Sequence, residues 1–389
     1  MYKLMKMLSF ENKFLVKQKA ESVSLETPPF VAHEPELEEI EKISKEWNVN
    51  NIIIIGNGGS VNNTRAFYGC LGSLKNVYFV MTMEPYELKR IAGKCSPEDS
   101  VVVAVSKSGT TVGVIEALMY FIKHDYRVVG ITQKSGALSE ICNKKGYQVI
   151  EHPEVGGRFS ARTACAYFPA ALMGMDIRKI EDGFKSFYEK AKAPDNPALE
   201  FSLILYELEK KGIADVFLPV YSTRLSAFLP IIIQLMHESF GKDGKGLSFF
   251  GDMAPESQHH TNQRLFGGKE NISALFMRTS EEDDEKILVP DELKDIKLKS
   301  ETLRILDQIK YSKALEFEFE GTYRDAAEKN IPVGCLSLER VDEKGAGEFM
   351  GFWQYVAVYS ARLRGVNPYD QPQVEASKNL SFELRKNLH

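Results

Sequence analysis

Four isoleucines in succession, Ile52 to Ile55, run directly into Gly56-Asn57-Gly58-Gly59-Ser60. A run apolar at every position, too short for a helix and rich in β-branched side chains, reads as a strand covered on both faces, the environment of a parallel sheet. Similar runs follow at Val77 to Met81, Ser100 to Val105, Arg127 to Thr132 and Tyr147 to Ile150, with helical stretches between them. Leu37, Ile40, Ile43 and Trp47 stand at helical spacing ahead of the first strand. Strand and helix alternate, which predicts a doubly wound parallel sheet whose ligands bind beyond the carboxyl ends of its strands.

The chain has 389 residues, more than a common single domain of about 150, and a second α/β cycle follows Ala191 to Pro197, a segment of helix breakers and small or polar residues. Its members are a helix from Leu199 to Lys211, a strand from Asp215 to Ser222, an apolar helix around Pro230 to Ser239, a strand from Ile272 to Met277, a helix opening at Leu303 to Leu306 and extending on, and a strand from Ile331 to Leu338. The expected division is 1–193 and 194–389, two α/β domains of doubly wound parallel sheets, each an αβα sandwich. Lys and Arg number 49 against 54 Asp and Glu, a net charge of −5, without the basic excess a nucleic-acid footprint needs. Five scattered cysteines without a C-x-x-C pair indicate neither a zinc site nor a disulfide framework. The first ten residues lack an apolar core long enough for a secretory signal, and no later run reaches membrane length. The expectation is a cytoplasmic protein with no nucleic-acid or membrane partner. The acidic run Glu281 to Glu285 reads as a solvated loop.

Two turns carry the chemistry. Gly58, Gly59 and Ser60 follow a strand and precede a helical stretch, so backbone N–H groups and one hydroxyl could receive an anion there; a tight strand-to-helix turn is the equally open alternative. The run Ser106-Lys107-Ser108-Gly109-Thr110-Thr111 likewise ends a strand. Capping accounts for one of its hydroxyls, whereas a phosphoryl group would use Ser106, Lys107, Ser108 and Thr111 together. The spacing fits neither G-x-x-x-x-G-K-S/T nor G-x-G-x-x-G, so the ligand expected is a small phosphorylated molecule rather than a nucleotide.

Two such turns on neighbouring strands resemble the sugar isomerase (SIS) fold, and further stretches resemble the phosphoglucose isomerase family. Val155-Gly156-Gly157-Arg158-Phe159-Ser160 is similar to its V-G-G-R-F/Y-S. Gln234 to Lys242 resembles its glutamate segment, Gln258-His259 with Gln263 its Q-H-x-x-x-Q, and Asn367 to Lys378 its N-P-F/Y-D-Q-x-G-V-E-x-x-K. Departures are Gln373 in place of glycine, Gly113 in place of a common glutamate, and Phe240 in place of asparagine.

The resemblance implies cofactor-independent aldose-ketose isomerisation of glucose 6-phosphate and fructose 6-phosphate through an enediolate. The site would lie between two SIS-like domains and be completed across a homodimer. It makes Glu238 the base, where the residue pattern alone leaves open a solvent-facing carboxylate at a helix end. It places Arg158, beside Gly157, against the enediolate, with a buried ion pair as the alternative and Arg162 as a structural partner. It gives ring opening to His259, with His260 as rival; adjacent residues point apart, so both cannot face one ligand, nor can they pair on a zinc ion. Lys378 would reach the sugar ring oxygens, against the alternative of an exposed charge, and Gln234 and Gln371 would supply neutral hydrogen bonds. No metal is implied. A dual phosphoglucose/phosphomannose isomerase shares this chemistry, and a non-catalytic sugar-phosphate sensor on the same fold would have no need for Glu238, Arg158 and His259 together.

Overall fold

The computed structural model describes Val23, residues 25–281 and residues 283–387. The first ten residues and Glu282 of the acidic run lie outside the described residues. The remaining described members of that run, Glu281 and Asp283 to Glu285, are exposed.

The chain packs as two compact units that are discontinuous in sequence. The larger holds residues up to Lys211 together with Ala227–Ser248 and the chain from Asp342 onward; the smaller holds Gly212–Ser226 and Phe249–Val341. The expected division at 193/194 therefore falls inside the larger unit. The physical reason is the helix Pro197–Lys210, which Asn196 caps through Leu199 N. It buries Leu199, Leu203 and Leu205, and Ser202 Oγ donates to the carbonyl of Val356 at 3.2 Å, tying it to the long helix Glu343–Arg364. Burying a leucine side chain stabilises by about 1.5–3 kcal/mol, ample to fix the helix there.

The larger unit contains a five-stranded sheet of β1 (Asn51–Ile55), β2 (Asn76–Val80), β3 (Ser100–Val105), β4 (Arg127–Thr132) and β5 (Gln148–Glu151). Their order is β2-β1-β3-β4-β5, and every pairing is parallel. All residues of β1 and β3 are buried, as expected for unbroken Ile and Val runs covered on both faces. After β1 the chain moves to one side of it, and β3 returns on the other. This order puts the topological switch point between β1 and β3, where doubly wound sheets bind ligands. Helix Glu343–Arg364 lies so close to helix Ile177–Lys190 that a Cβ on Gly347 would come within 2.1 Å of the Ile180 carbonyl oxygen. Only glycine permits that approach.

The smaller unit contains β6 (Asp215–Tyr221), β7 (Ser248–Met253), β8 (Ile272–Thr279) and β9 (Val333–Leu338), in the order β9-β8-β6-β7. The β6–β8 and β8–β9 pairings are parallel, and Phe217, Phe276, Phe319 and Leu265 share its core. Both sheets belong to the expected α/β class. The helix expected to open at Leu303 does not run on. Leu303–Leu306 is one 3-10 turn, Gln308 adopts φ +67°, and the α-helix begins at Tyr311.

Candidate active site

Both predicted turns stand at the switch point. Gly58 (φ +58°) precedes the helix Gly59–Leu71, which has no side-chain cap, and Thr111 precedes the helix Val112–Lys123, which has none either. Thr111 Oγ1 pairs instead with Ser106 Oγ at 2.9 Å, and Ser108 Oγ with Thr110 Oγ1 at 2.9 Å. The hydroxyls thus form a cluster at the turn, and among the described residues the first-turn N–H groups of the two helices have no side-chain cap, an arrangement suited to an anion. A Cβ on Gly113 would lie 2.9 Å from Met83 Cε and 3.7 Å from the Asn57 side-chain amide, so the second helix starts against the first turn. Lys107 Nζ lies 2.8 Å from Glu154 Oε2, whose side chain is 81% exposed. That contact holds the Glu154 carboxyl below its usual range, and an incoming phosphate would compete with an exposed carboxylate for this cation.

Next to the glycine turn lies a second, buried layer. A Cβ on Gly59 would come within 2.1 Å of Gly157 C and 2.3 Å of Arg158 N. The missing side chain is what lets the turn rest on the Gly157–Arg162 segment. Asn63 Nδ2 binds both carbonyls, Gly59 O at 2.7 Å and Gly157 O at 3.1 Å. Arg158 is 2% exposed. It donates from Nε to Ser239 Oγ (2.9 Å), from Nη1 to Glu238 Oε2 (3.0 Å) and Gln371 Oε1 (2.8 Å), and from Nη2 to the carbonyls of Pro368 (2.6 Å) and Asp370 (3.1 Å). A guanidinium has five N–H donors, and all are given to protein acceptors. Burial pulls its pKa down, and Glu238 pulls it back up.

Glu238 and Gln234 lie one turn apart on the helix Leu229–Phe240. Gln234 Nε2 donates to Glu238 Oε1 at 3.0 Å, and Asn62 Nδ2 donates to Gln234 Oε1 at 3.0 Å. Gln234 also faces the first turn, since a Cβ on Gly58 would meet its Nε2 at 3.0 Å. Each Glu238 oxygen has one fixed donor, and the side chain is 28% exposed, so the carboxylate is oriented while still open to a ligand.

The structure therefore brings together Gly58, Gly59, Gly157, Arg158, Gln234, Glu238 and Gln371. Arg162 is not a partner of Arg158; its Nε donates to Glu181 Oε2 at 2.9 Å, and Tyr167 Oη donates to the same oxygen at 2.8 Å. Lys378 is not among the groups that meet Glu238 or Arg158. It lies on the helix Glu375–Lys386, which has no buried residue, and pairs with Glu375 Oε1 at 2.8 Å, the exposed-charge alternative. Within the smaller unit, His259 ends the 3-10 turn Glu256–His259, is exposed, and has no ring hydrogen bond among the described residues. His260 Nδ1 is 2.7 Å from Thr261 Oγ1, and its Nε2 is 3.7 Å from Asp252 Oδ2. Gln258 Nε2 anchors the turn on Tyr221 Oη at 2.7 Å. Sequence reasoning missed Asn62, Ser239, Lys242 and Asp370. The last three lie inside the quoted glutamate and N-P-Y-D segments, where the spacing to Glu238 and Gln371 was the available signal. Among the described residues no His, Cys, Asp or Glu cluster is placed to hold a metal ion, and no helix is long and apolar enough to cross a membrane.

No protein-family model matches the sequence. The chain is 30% identical over 365 residues to a Methanococcus maripaludis protein named "Probable glucose-6-phosphate isomerase", covering 89% of this chain and 80% of that one. It is also 30% identical over 354 residues to the glucose-6-phosphate isomerase of Thermus thermophilus, covering 86% and 83%. Among solved structures it resembles a glucose-6-phosphate isomerase from Chlamydia trachomatis, with a TM-score of 0.71 at 21% identity over 90% of this chain and 72% of the other.

Proposed function

The chain belongs to the glucose-6-phosphate isomerase family, and we propose that it interconverts glucose 6-phosphate and fructose 6-phosphate as a homodimer. The observation that carries this reading is the orientation of Glu238, with Oε2 on Arg158 and Oε1 on Gln234 beside the glycine turn. In the forward direction the Glu238 carboxylate takes the C2 proton of the open-chain aldose, leaving an enediolate, and the protonated carboxyl returns a proton to C1. A hydroxyl proton moves between O1 and O2 in the same step, so no atom is gained or lost.

Arg158 acts differently from the direct enediolate donor the sequence suggested. With its N–H groups already given to protein acceptors, it works by its fixed positive charge in a buried setting and by holding the base. The phosphoryl group belongs at the two turns, with Ser106, Ser108, Thr111, Ser60 and the helix N-termini as donors. Ring opening is assigned to His259 of the partner subunit, whose exposed ring is free to meet another chain. The direct test is incubation of purified protein with fructose 6-phosphate, with glucose 6-phosphate read by a coupled assay. Formation of glucose 6-phosphate supports the reading, and its absence overturns it.

A further inference from the structure

Lys242 follows the helix that carries Glu238 and is 7% exposed, an expensive place for an ammonium group unless its three donors are satisfied. They are. Nζ donates to the carbonyl of Asn367, to the carbonyl of Asp370 at 2.6 Å, and to Asp370 Oδ1 at 2.5 Å. Asp370 Oδ2 accepts from Asn367 Nδ2 at 3.1 Å, which closes the 367–370 segment on itself. The same short segment supplies Arg158 with the carbonyls of Pro368 and Asp370 and, one residue on, the side chain of Gln371. One stretch of chain is thus clamped between two buried cations.

Resting on the isomerase reading above, we propose that Lys242 is a positioning residue: it anchors segment 367–371, which fixes the Arg158 guanidinium and through it the Glu238 carboxylate. The Asp370 carbonyl is shared by both cations, so movement of the segment reaches Arg158 directly. Without the ammonium, the Asn367 carbonyl and Asp370 Oδ1 lose their donor, the Asp370 carbonyl keeps only Arg158, and the guanidinium loses its rigid bed while keeping Ser239. The phosphate turns are untouched, so the defect should fall on turnover rather than on binding.

The test compares wild type with Lys242→Met, Lys242→Arg, Asp370→Asn and the control Lys245→Met, whose Nζ donates to the Arg364 carbonyl at 2.9 Å and does not touch the segment. Fructose 6-phosphate turnover is measured together with hydrogen exchange of residues 366–374. Lys242→Met should lower kcat by about 10- to 100-fold, leave KM within about threefold, and speed exchange in 367–371 but not in helix 343–364. Lys242→Arg should recover part of kcat, and Lys245→Met should behave as wild type. Asp370→Asn keeps both carbonyl contacts and should lose less, and it carries the test if Lys242→Met does not fold. Unchanged kcat in Lys242→Met and Asp370→Asn, a defect confined to KM, or an equal loss in Lys245→Met would overturn the proposal. Wild-type protein without isomerase activity would instead overturn the functional reading, and the positioning role with it.

Discussion

Arg158 Nη1 lies 3.0 Å from Glu238 Oε2, yet only one of the two side chains is buried; Arg158 is 2% exposed and Glu238 28%. The asymmetry gives each a distinct job. The cation stays in the protein and polarises the site, and the carboxylate keeps a face for substrate. A fully buried pair would have cost desolvation of both charges, and a fully exposed one would have been screened.

Replacing Arg158 by lysine should show how much the planar fork matters. An ammonium has three donors for five acceptors and cannot match the fork geometry. Because several buried acceptors lose their partner, the variant should be less stable by roughly 3 kcal/mol, and kcat should fall at least tenfold. Thermal unfolding and steady-state kinetics would show both, and wild-type turnover in Arg158→Lys would contradict the role.

Ser106→Ala and Lys107→Ala should weaken binding of phosphorylated sugars with a smaller effect on kcat, because each side chain would donate to the phosphate dianion in ground and transition state alike. Inorganic phosphate should compete with substrate in the wild type. Affinity for 6-phosphogluconate, measured by calorimetry, decides the matter. If both variants bind it as tightly as wild type, the Ser106–Thr111 turn only starts a helix.

The sheet of the larger unit was legible in the sequence because covered parallel strands are apolar at every position, and Ser100 to Val105 and Arg127 to Thr132 matched to the residue. Helix Glu343–Arg364 was not read. It is buried nearly all round, so it lacks the stripe that marks an amphipathic helix. Edge strand Ser248–Met253 was also missed, being half-exposed and interrupted by Gly251. In the site, Glu238, Gln234 and Arg158 were found through motifs. The Arg158 ligands Pro368 and Asp370 act through backbone carbonyls about two hundred residues away in sequence, and no side-chain pattern records that.

If His259 serves the partner's site and Glu238 its own, two inactive chains should complement. A heterodimer of Glu238→Gln and His259→Ala holds one doubly defective site and one intact site. Random reassociation of equal amounts makes half the dimers mixed, so activity should recover to about a quarter of wild type. No recovery, despite heterodimers proven by native mass spectrometry, would put both residues in one chain's site or transfer the role to His260.

His152 is 1% exposed; its Nδ1 lies 2.7 Å from the Pro153 carbonyl, and its buried Nε2 has no hydrogen-bond partner among the described residues. Burial lowers its pKa from 6.5, so below pH 6.5 the unfolded chain takes up a proton that the folded one refuses. Stability is therefore fully present above that pH and declines as pH falls toward the folded-state pKa. The unfolding temperature should begin to drop below about pH 6.5, and His152→Leu should flatten that slope. Parallel pH profiles of the two proteins would refute this.

The central claim is that Glu238 moves the C2 proton. Incubating wild-type protein with fructose 6-phosphate in D2O should yield glucose 6-phosphate carrying deuterium at C2, followed by NMR. Glu238→Gln keeps the shape and loses the base, so both product and label should fall by about a hundredfold or more, while 6-phosphogluconate still binds. A correctly folded Glu238→Gln protein that forms labelled product at the wild-type rate would contradict the account.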